Sequence, residues 1–389
     1  MIFFKLAVLI LVGLIFANLI EKIGLPKVSA YFITGVLLGP SVTGFFTMDD
    51  LNSLQIVSQV ALACICFGIG KSFNYGEIKG YGVKIIVLTL FESLTTSAVV
   101  FVVLFFVLQQ GFEVSILLAA IAAATAPAVP LMVLRQFKAK GDLSKTIVPI
   151  VGLDDVVCVV VFGLSLAIVK AGTGTEDSLG YAALHMIINI FVTVITGITL
   201  GYIFSLIIKE LEKKSDILIL TIGIATLGVG MALIFELELI ILSITTGTIV
   251  ANFVPKSDKI FENLTSNFMP PLFLVFFGIS AASLELAYLL DVSLIGIVYI
   301  IARGLGKVAG SAIGAKIGNF PAVVRKYLGI AILSQAGVGI GLAVIVRQEL
   351  GEVGQRVYTI ALAGVLIYEI IGPLLTKYAV KRAGEIGQA

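Results

Sequence analysis

The sequence predicts an all-α polytopic membrane protein of about 13 transmembrane helices, built as an inverted-topology repeat with two crossed, broken helices. Composition, the placement of basic residues and an internal self-similarity each point there. Of the 389 residues, 59% are hydrophobic and only 13% charged, about half the ~25% of an ordinary soluble domain. The mean hydropathy of +1.12 excludes a soluble globular chain. Forty glycines and ten prolines fit the heavier use of both in membrane helices.

At about 20 apolar residues per crossing, the first helix covers residues 2–20. It is a retained helix and no signal peptide: its apolar run is too long, only Lys5 precedes it, and no small-x-small site follows. Helices 2 (28–46) and 3 (54–71) come next, then 4 (83–109), the Pro-interrupted 5 (114–136) and 6 (146–170). Helix 7 (181–208) precedes 8 (216–235), 9 (237–253) and 10 (263–284). The last three are 11 (289–315), the Gly-interrupted 12 (322–346) and 13 (355–377).

The loops check this count independently. Alternate connections carry Lys22/Lys27, Lys71/Lys79/Lys84, Arg135/Lys138/Lys140/Lys145, Lys209/Lys213/Lys214, Lys256/Lys259, Lys316/Arg325/Lys326 and Lys377/Lys381/Arg382. Twenty of the 26 basic residues thus fall on one side, against Lys5, Lys170, Arg347 and Arg356 on the other. The positive-inside rule places the N-terminus outside and the C-terminus in the cytoplasm. A miscount by one helix would scramble the alternation. Asp49, Asp50, Glu176 and Asp177 read as solvated outer loops, and with no Trp in the chain, anchoring at the interfaces falls to Tyr, Phe, Lys and Arg.

The chain matches itself at an offset of ~210 residues, aligning Gly35 with Gly247, Phe67-Gly68-Ile69 with Phe277-Gly278-Ile279, and Thr125–Pro130 with Ser334–Gly339. Helices 1–6 and 8–13 are then two copies joined by helix 7, and the odd spacing inverts one against the other, an architecture of secondary transporters. Corresponding helices 5 and 12 are both interrupted, by Thr125/Pro127/Pro130 and by Gly337/Gly339/Gly341. Proline removes a backbone donor and glycine weakens a helix. Broken helices offer carbonyls and half-helix termini near the bilayer midplane, where cargo binds.

Six charged residues remain inside the spans: Glu92, Asp154, Asp155, Arg303, Lys307 and Glu369. A carboxylate at mid-bilayer costs roughly 2.5–3.5 kcal/mol on insertion scales, so two adjacent ones imply binding of a cation, a proton, or both in turn. Arg303 and Lys307 share a helix face at i and i+4. Glu92 maps through the offset to residue 302, which predicts a structural Glu92–Arg303 pair and leaves Lys307 for the aspartates. Asp154 and Asp155 point about 100° apart, so one can meet Lys307 while the other faces the gap between the broken helices. A static ion-pair network is the plainer alternative. Glu369, two turns before Lys377, lines the cytoplasmic approach or pairs locally, and His185 reads as a packed neutral imidazole. Cys64, Cys66 and Cys158 have no metal-ligand or disulfide spacing and read as packing.

These residues resemble the monovalent cation/proton antiporter superfamily, of the NapA, NhaA and Kef type. The resemblance rests on Gly35-x-x-x-Gly39-Pro40, the Thr125-Ala126-Pro127 break, the Asp154-Asp155 pair and Lys307 in the eleventh helix, and spans nearly the whole chain. Ala124–Pro130 followed by Gly152-Leu-Asp-Asp is most similar to the branch with NHA-type members. It implies the NhaA-like fold: a dimerisation domain of helices 1–3 (1–80) and 8–10 (215–286), a core ion-transport domain of helices 4–6 (81–171) and 11–13 (287–389), and linker helix 7 in 172–214. It implies a homodimer in a cell membrane exchanging Na+ or Li+ for H+ by an elevator movement, without a cofactor.

Asp155 would be the shared cation and proton carboxylate, Asp154 the partner of Lys307, and Thr125 and Ser334 further ligands of Na+. An Asp-Asp pair implies electrogenic exchange, whereas Glu92 with Arg303 resembles the pair of electroneutral members. No nucleotide-binding domain follows Ala389, against Kef-like gating, and nothing suggests nucleic acid as a partner. K+/H+ antiport and sodium-coupled organic-anion symport are the alternatives. A channel lacks its filter repeats. An intramembrane aspartyl protease needs facing aspartates on two helices, which an adjacent pair cannot supply.

Overall fold

In a computed structural model, described for residues 2–75, 82–172, 179–208, 211, 213–254, 257, 260–261, 264, 268–283, 294–335 and 337–386, every long element is helical. The helices are α1 (Ile2–Lys22), α2 (Lys27–Leu38), α3 (Met48–Ile69), α4 (Val83–Val102), α5 (Phe112–Ala122), α6 (Ala128–Gln136), α7 (Asp142–Gly172) and α8 (Leu179–Ile208). After them come α9 (Lys214–Phe235), α10 (Leu239–Phe253), α11 (Met269–Ala282), α12 (Leu294–Ile317), α13 (Ala322–Ala331), α14 (Gly337–Glu349) and α15 (Gly351–Arg382). Eight are long and apolar enough to cross a membrane on their own. The shorter apolar ones include the half-helices, where the chain stops being helical before it has spanned the hydrocarbon. Glu176 and Asp177 lie outside the described residues, as does the His185 side chain.

The helices sort into two compact units. The first joins residues 1–82 to 187–284. Its packing repeats the internal symmetry of the sequence. A Cβ on Gly35 of α2 would sit 2.2 Å from the carbonyl oxygen of Gly278 in α11, and one on Gly247 of α10 would sit 2.0 Å from that of Phe67 in α3. Gly35 aligns with Gly247, and Phe67-Gly68 with Phe277-Gly278. The two copies therefore make corresponding backbone-on-backbone contacts, one residue out of register, of the close kind that membrane helices use where lipid gives no hydrophobic drive to associate.

The second unit joins residues 83–186 to 285–389. Its long helices α4 and α12 lie against each other through Gly306, Gly310 and Gly314, where a Cβ would come within 2.7–2.9 Å of Thr96, Phe91 or Leu88 on α4. The two interrupted segments also meet here. The Ala126 N–H donates to the Ser334 carbonyl at 2.9 Å, and the Ser334 hydroxyl to the Ala126 carbonyl at 3.5 Å.

The first interruption falls at Ala123–Pro127, as the sequence predicts. Pro127 caps α6, and Pro130 lies in its first turn, where a missing N–H leaves nothing unpaired. The second falls earlier than the glycines suggest. It starts at Ile332, and Gly337, Gly339 and Gly341 lie within α14. What stabilises the break is a supply of donors for the freed carbonyls, so the glycines mark the restart of the helix.

Candidate functional site

Every charged residue of the predicted constellation belongs to the second unit. Helix α5 ends at Ala122, and a helix end leaves carbonyls short of donors. Four carbonyls at this end and in the break after it are each met by a side chain: Ile121 by Gln335 Nε2 at 2.8 Å, Ala122 by Arg303 Nε at 3.0 Å, Ala123 by Lys307 Nζ at 2.6 Å and Ala124 by Arg303 Nη2 at 2.7 Å. Arg303 Nη1 also reaches the Leu333 carbonyl in the second break, at 2.7 Å. Two cations thus stand at the negative end of a half-helix dipole.

The predicted Glu92–Arg303 pair does not form. Glu92 instead pairs with Lys307 at 2.5 Å. The reason is geometric. A planar guanidinium presents several donors in a fixed fork, and carbonyls at the two breaks engage all three of its nitrogens. Lys307, one turn further along α12, is left opposite α4 and α7. It bridges Glu92 and, at 2.8 Å, Asp154. Glu92, Asp154, Arg303 and Lys307 are all 0% exposed.

Asp154 is the most heavily bonded carboxylate of the site. Oδ1 accepts from Ser93 Oγ, and Oδ2 from both Thr125 Oγ1 and Lys307 Nζ. The Thr125 hydroxyl in turn accepts from Lys307 at 2.8 Å. Asp155, the next residue of α7, is 1% exposed. Thr125, Asp154 and Lys307 are therefore brought together, and Ser334 lies where the two breaks meet, hydrogen-bonded to Ala126.

Sequence reasoning passed over Ser93, Gln335 and Glu385. Glu385, past the end of α15, turns its carboxylate onto the N-terminus of α7. It accepts from the Leu143 N–H at 2.8 Å and from the Ser144 N–H and hydroxyl at 2.7 Å each. A carboxylate there complements the helix dipole of the segment bearing both aspartates. A polar residue among polar neighbours past the end of the last helix carries no signal in the sequence. Ser93, adjacent to a buried glutamate, did. Glu369 is 3% exposed on α15. It does not pair with Lys377, which lies over the Phe137 ring at 5.1 Å.

Crossed half-helices capped by buried cations beside paired carboxylates define a secondary transporter of small cations. The chain belongs to the sodium/hydrogen exchanger family, whose transmembrane family model matches residues 6–382. This is a family of multi-pass membrane transporters and not of enzymes; Na+ and H+ are their cargo, and they need no cofactor. Among curated relatives, a Na+/H+ antiporter of Enterococcus hirae is 23% identical, with 94% of each chain covered. A probable Na+/H+ antiporter of Methanocaldococcus jannaschii is 22% identical over 93% of this chain and 92% of that one. The fold matches the sodium/proton antiporter MjNhaP1 of M. jannaschii, at pH 8, with a TM-score of 0.74 and 18% identity over 99% of this chain and 96% of that one. A second structure of MjNhaP1, from electron microscopy, gives a TM-score of 0.79 at 16% identity, covering 99% and 98%.

Proposed function

We propose that the chain exchanges Na+ (or Li+) for H+ across a cell membrane, with cation and proton competing for Asp155. The observation carrying this reading is the commitment of Asp154 to three donors, Ser93, Thr125 and Lys307. A carboxylate so held is a structural anion. Exchange of cargo then falls to Asp155, its neighbour on α7, buried at the same depth. One carboxylate that takes either a proton or a cation couples the two fluxes, because each must leave before the other binds.

In this proposal the second unit is the moving core, carrying its cargo as an elevator does, and the first is the stationary domain through which two protomers associate. Counting each interrupted pair, α5 with α6 and α13 with α14, as one crossing gives thirteen among the described helices, and this reading puts the N-terminus outside and the C-terminus in the cytoplasm. Thr125 and Ser334 complete the shell around the cation. Lys307 balances Glu92 and Asp154, and Arg303 holds the two breaks open.

The test is a pH-jump assay in proteoliposomes holding a pH-reporting dye, with Na+, Li+ and K+ added in turn to wild type and Asp155→Asn. Cation-dependent proton movement in wild type that vanishes in the mutant is expected. Coupled movement persisting in a folded Asp155→Asn protein overturns the assignment.

A further inference from the structure

Glu369 is a buried carboxylate that the mechanism above does not use. It is 3% exposed, and neither of its oxygens has a hydrogen-bond partner among the described residues. Its backbone is short of a donor as well. Pro373, four residues on within α15, has no N–H to give to the Glu369 carbonyl. Three acceptor oxygens therefore gather at one point of a membrane helix, where buried polar groups are ordinarily paired.

The place matters as much as the deficit. Tyr368, the preceding residue, holds the Arg303 guanidinium over its ring at 4.4 Å and donates its hydroxyl to the Ile300 carbonyl at 2.6 Å. Gly372, one turn after Glu369, meets Ser334, where an added Cβ would lie 2.8 Å from the serine Cβ. Thr376, a further turn on, donates to the Ala331 carbonyl at 2.7 Å. Glu369 thus sits within one turn of the crossing, on the face of α15 that packs on the second break.

The charged groups of the surrounding helices are engaged elsewhere. On α12, Arg303 serves the broken carbonyls and Lys307 serves Glu92 and Asp154. On α13, Arg325 donates to the Phe320 carbonyl and Lys326 lies over the Tyr327 ring. On α14, Arg347 lies over Tyr358 and Glu349 pairs with Lys170. Glu113 of α5, Arg135 of α6, and Lys316 and the Tyr299 hydroxyl of α12 also lie on these elements, and none is a partner of Glu369. On α15 itself, Lys377 and Arg382 lie over aromatic rings, Arg356 donates to the Gln110 side chain at 2.6 Å, and Glu352 and Lys381 are exposed.

We propose that Glu369 is a second proton-carrying carboxylate of the transport cycle. It holds a proton in the arrangement seen here. When the core opens and water reaches the crossing, the O–H bond of the acid breaks and the proton passes to water, leaving the carboxylate ionised. The proton is taken up again as the site closes. This rests on the exchange reading above and extends it: Asp155 alternates between cation and proton, while Glu369 carries a proton only.

The experiment compares wild type, Glu369→Gln and Asp155→Asn in proteoliposomes. Tracer Na+ uptake and dye-reported proton flux give protons moved per Na+, and Na+/Na+ counterflow reports a working cation site without net proton transfer. Glutamine keeps the shape of the neutral acid and cannot release a proton. The expected result for Glu369→Gln is counterflow within a few-fold of wild type, with one fewer proton moved per Na+ and a weaker response to membrane potential. An unaltered proton-to-Na+ ratio and pH profile overturns the proposal, since a permanently neutral packing acid would give that. So does loss of counterflow together with exchange in a folded protein. If wild type itself moves no protons with any cation, the exchange reading has failed and Glu369 falls with it.

Discussion

Truncating Lys307 to alanine removes the cation that bridges two fully buried carboxylates, Glu92 at 2.5 Å and Asp154 at 2.8 Å. The bonds to Thr125 and the Ala123 carbonyl go with it. Breaking a buried pair by deleting one partner costs about 3–5 kcal/mol, because an uncompensated charge stays behind. Here two carboxylates are stranded, so Lys307→Ala belongs at the upper end of that range. That is a large part of the ~5–15 kcal/mol separating folded from unfolded proteins. The loss grows as pH rises, because at acidic pH the stranded carboxylates take protons and shed their charge. Replacing the whole triad by Glu92→Gln, Asp154→Asn and Lys307→Met together returns most of the stability without restoring transport. Unfolding of purified protein in detergent, followed by helical circular dichroism at acidic and alkaline pH, measures all of this. A Lys307→Ala protein as stable as wild type at alkaline pH, or a triple variant no better than the single one, would refute the electrostatic reasoning.

Arg303→Lys keeps the charge but cannot reach three carbonyls with one ammonium, so exchange should fall by about tenfold or more with the protein still folded, a loss of ~1.5–3 kcal/mol per charge-assisted bond being the guide. Glu385→Ala deprives the start of α7 of three hydrogen bonds to a carboxylate and should cost ~1–3 kcal/mol in the same unfolding assay. Gly35→Ala puts a methyl 2.2 Å from the Gly278 carbonyl and should sharply reduce the yield of folded protein, whereas Gly223→Ala, with nothing within 4 Å, should be neutral or slightly stabilising. Size-exclusion profiles of the two glycine variants decide that contrast.

Much of the architecture was legible because the bilayer writes simple rules into a chain. Helix length follows hydrocarbon thickness, and a charge inside a span is rare enough to mark a site. The repeat at ~210 residues aligned Gly35 with Gly247 and the first break with the second; in the structure both glycines meet a backbone carbonyl, and Ala126 meets Ser334. The sequence also singled out Asp154, Lys307 and Thr125 as a group, and the structure joins them.

The partnering of the buried charges was decided only in three dimensions. Glu92 could be matched to Arg303 by offset, yet one helical turn separates the two cations of α12, and a turn is enough to exchange their roles. Arg303 goes to carbonyls that exist as acceptors only because α5 and α13 stop where they do. Composition and periodicity report which residues are buried and on which face. They do not report which backbone groups lose their helical partners, or which side chain from a helix ~180 residues away supplies the missing donor. That pairing, like the donor-poor pocket around Glu369, belongs to the tertiary structure, because a hydrogen bond is set by ångströms and a sequence pattern by turns.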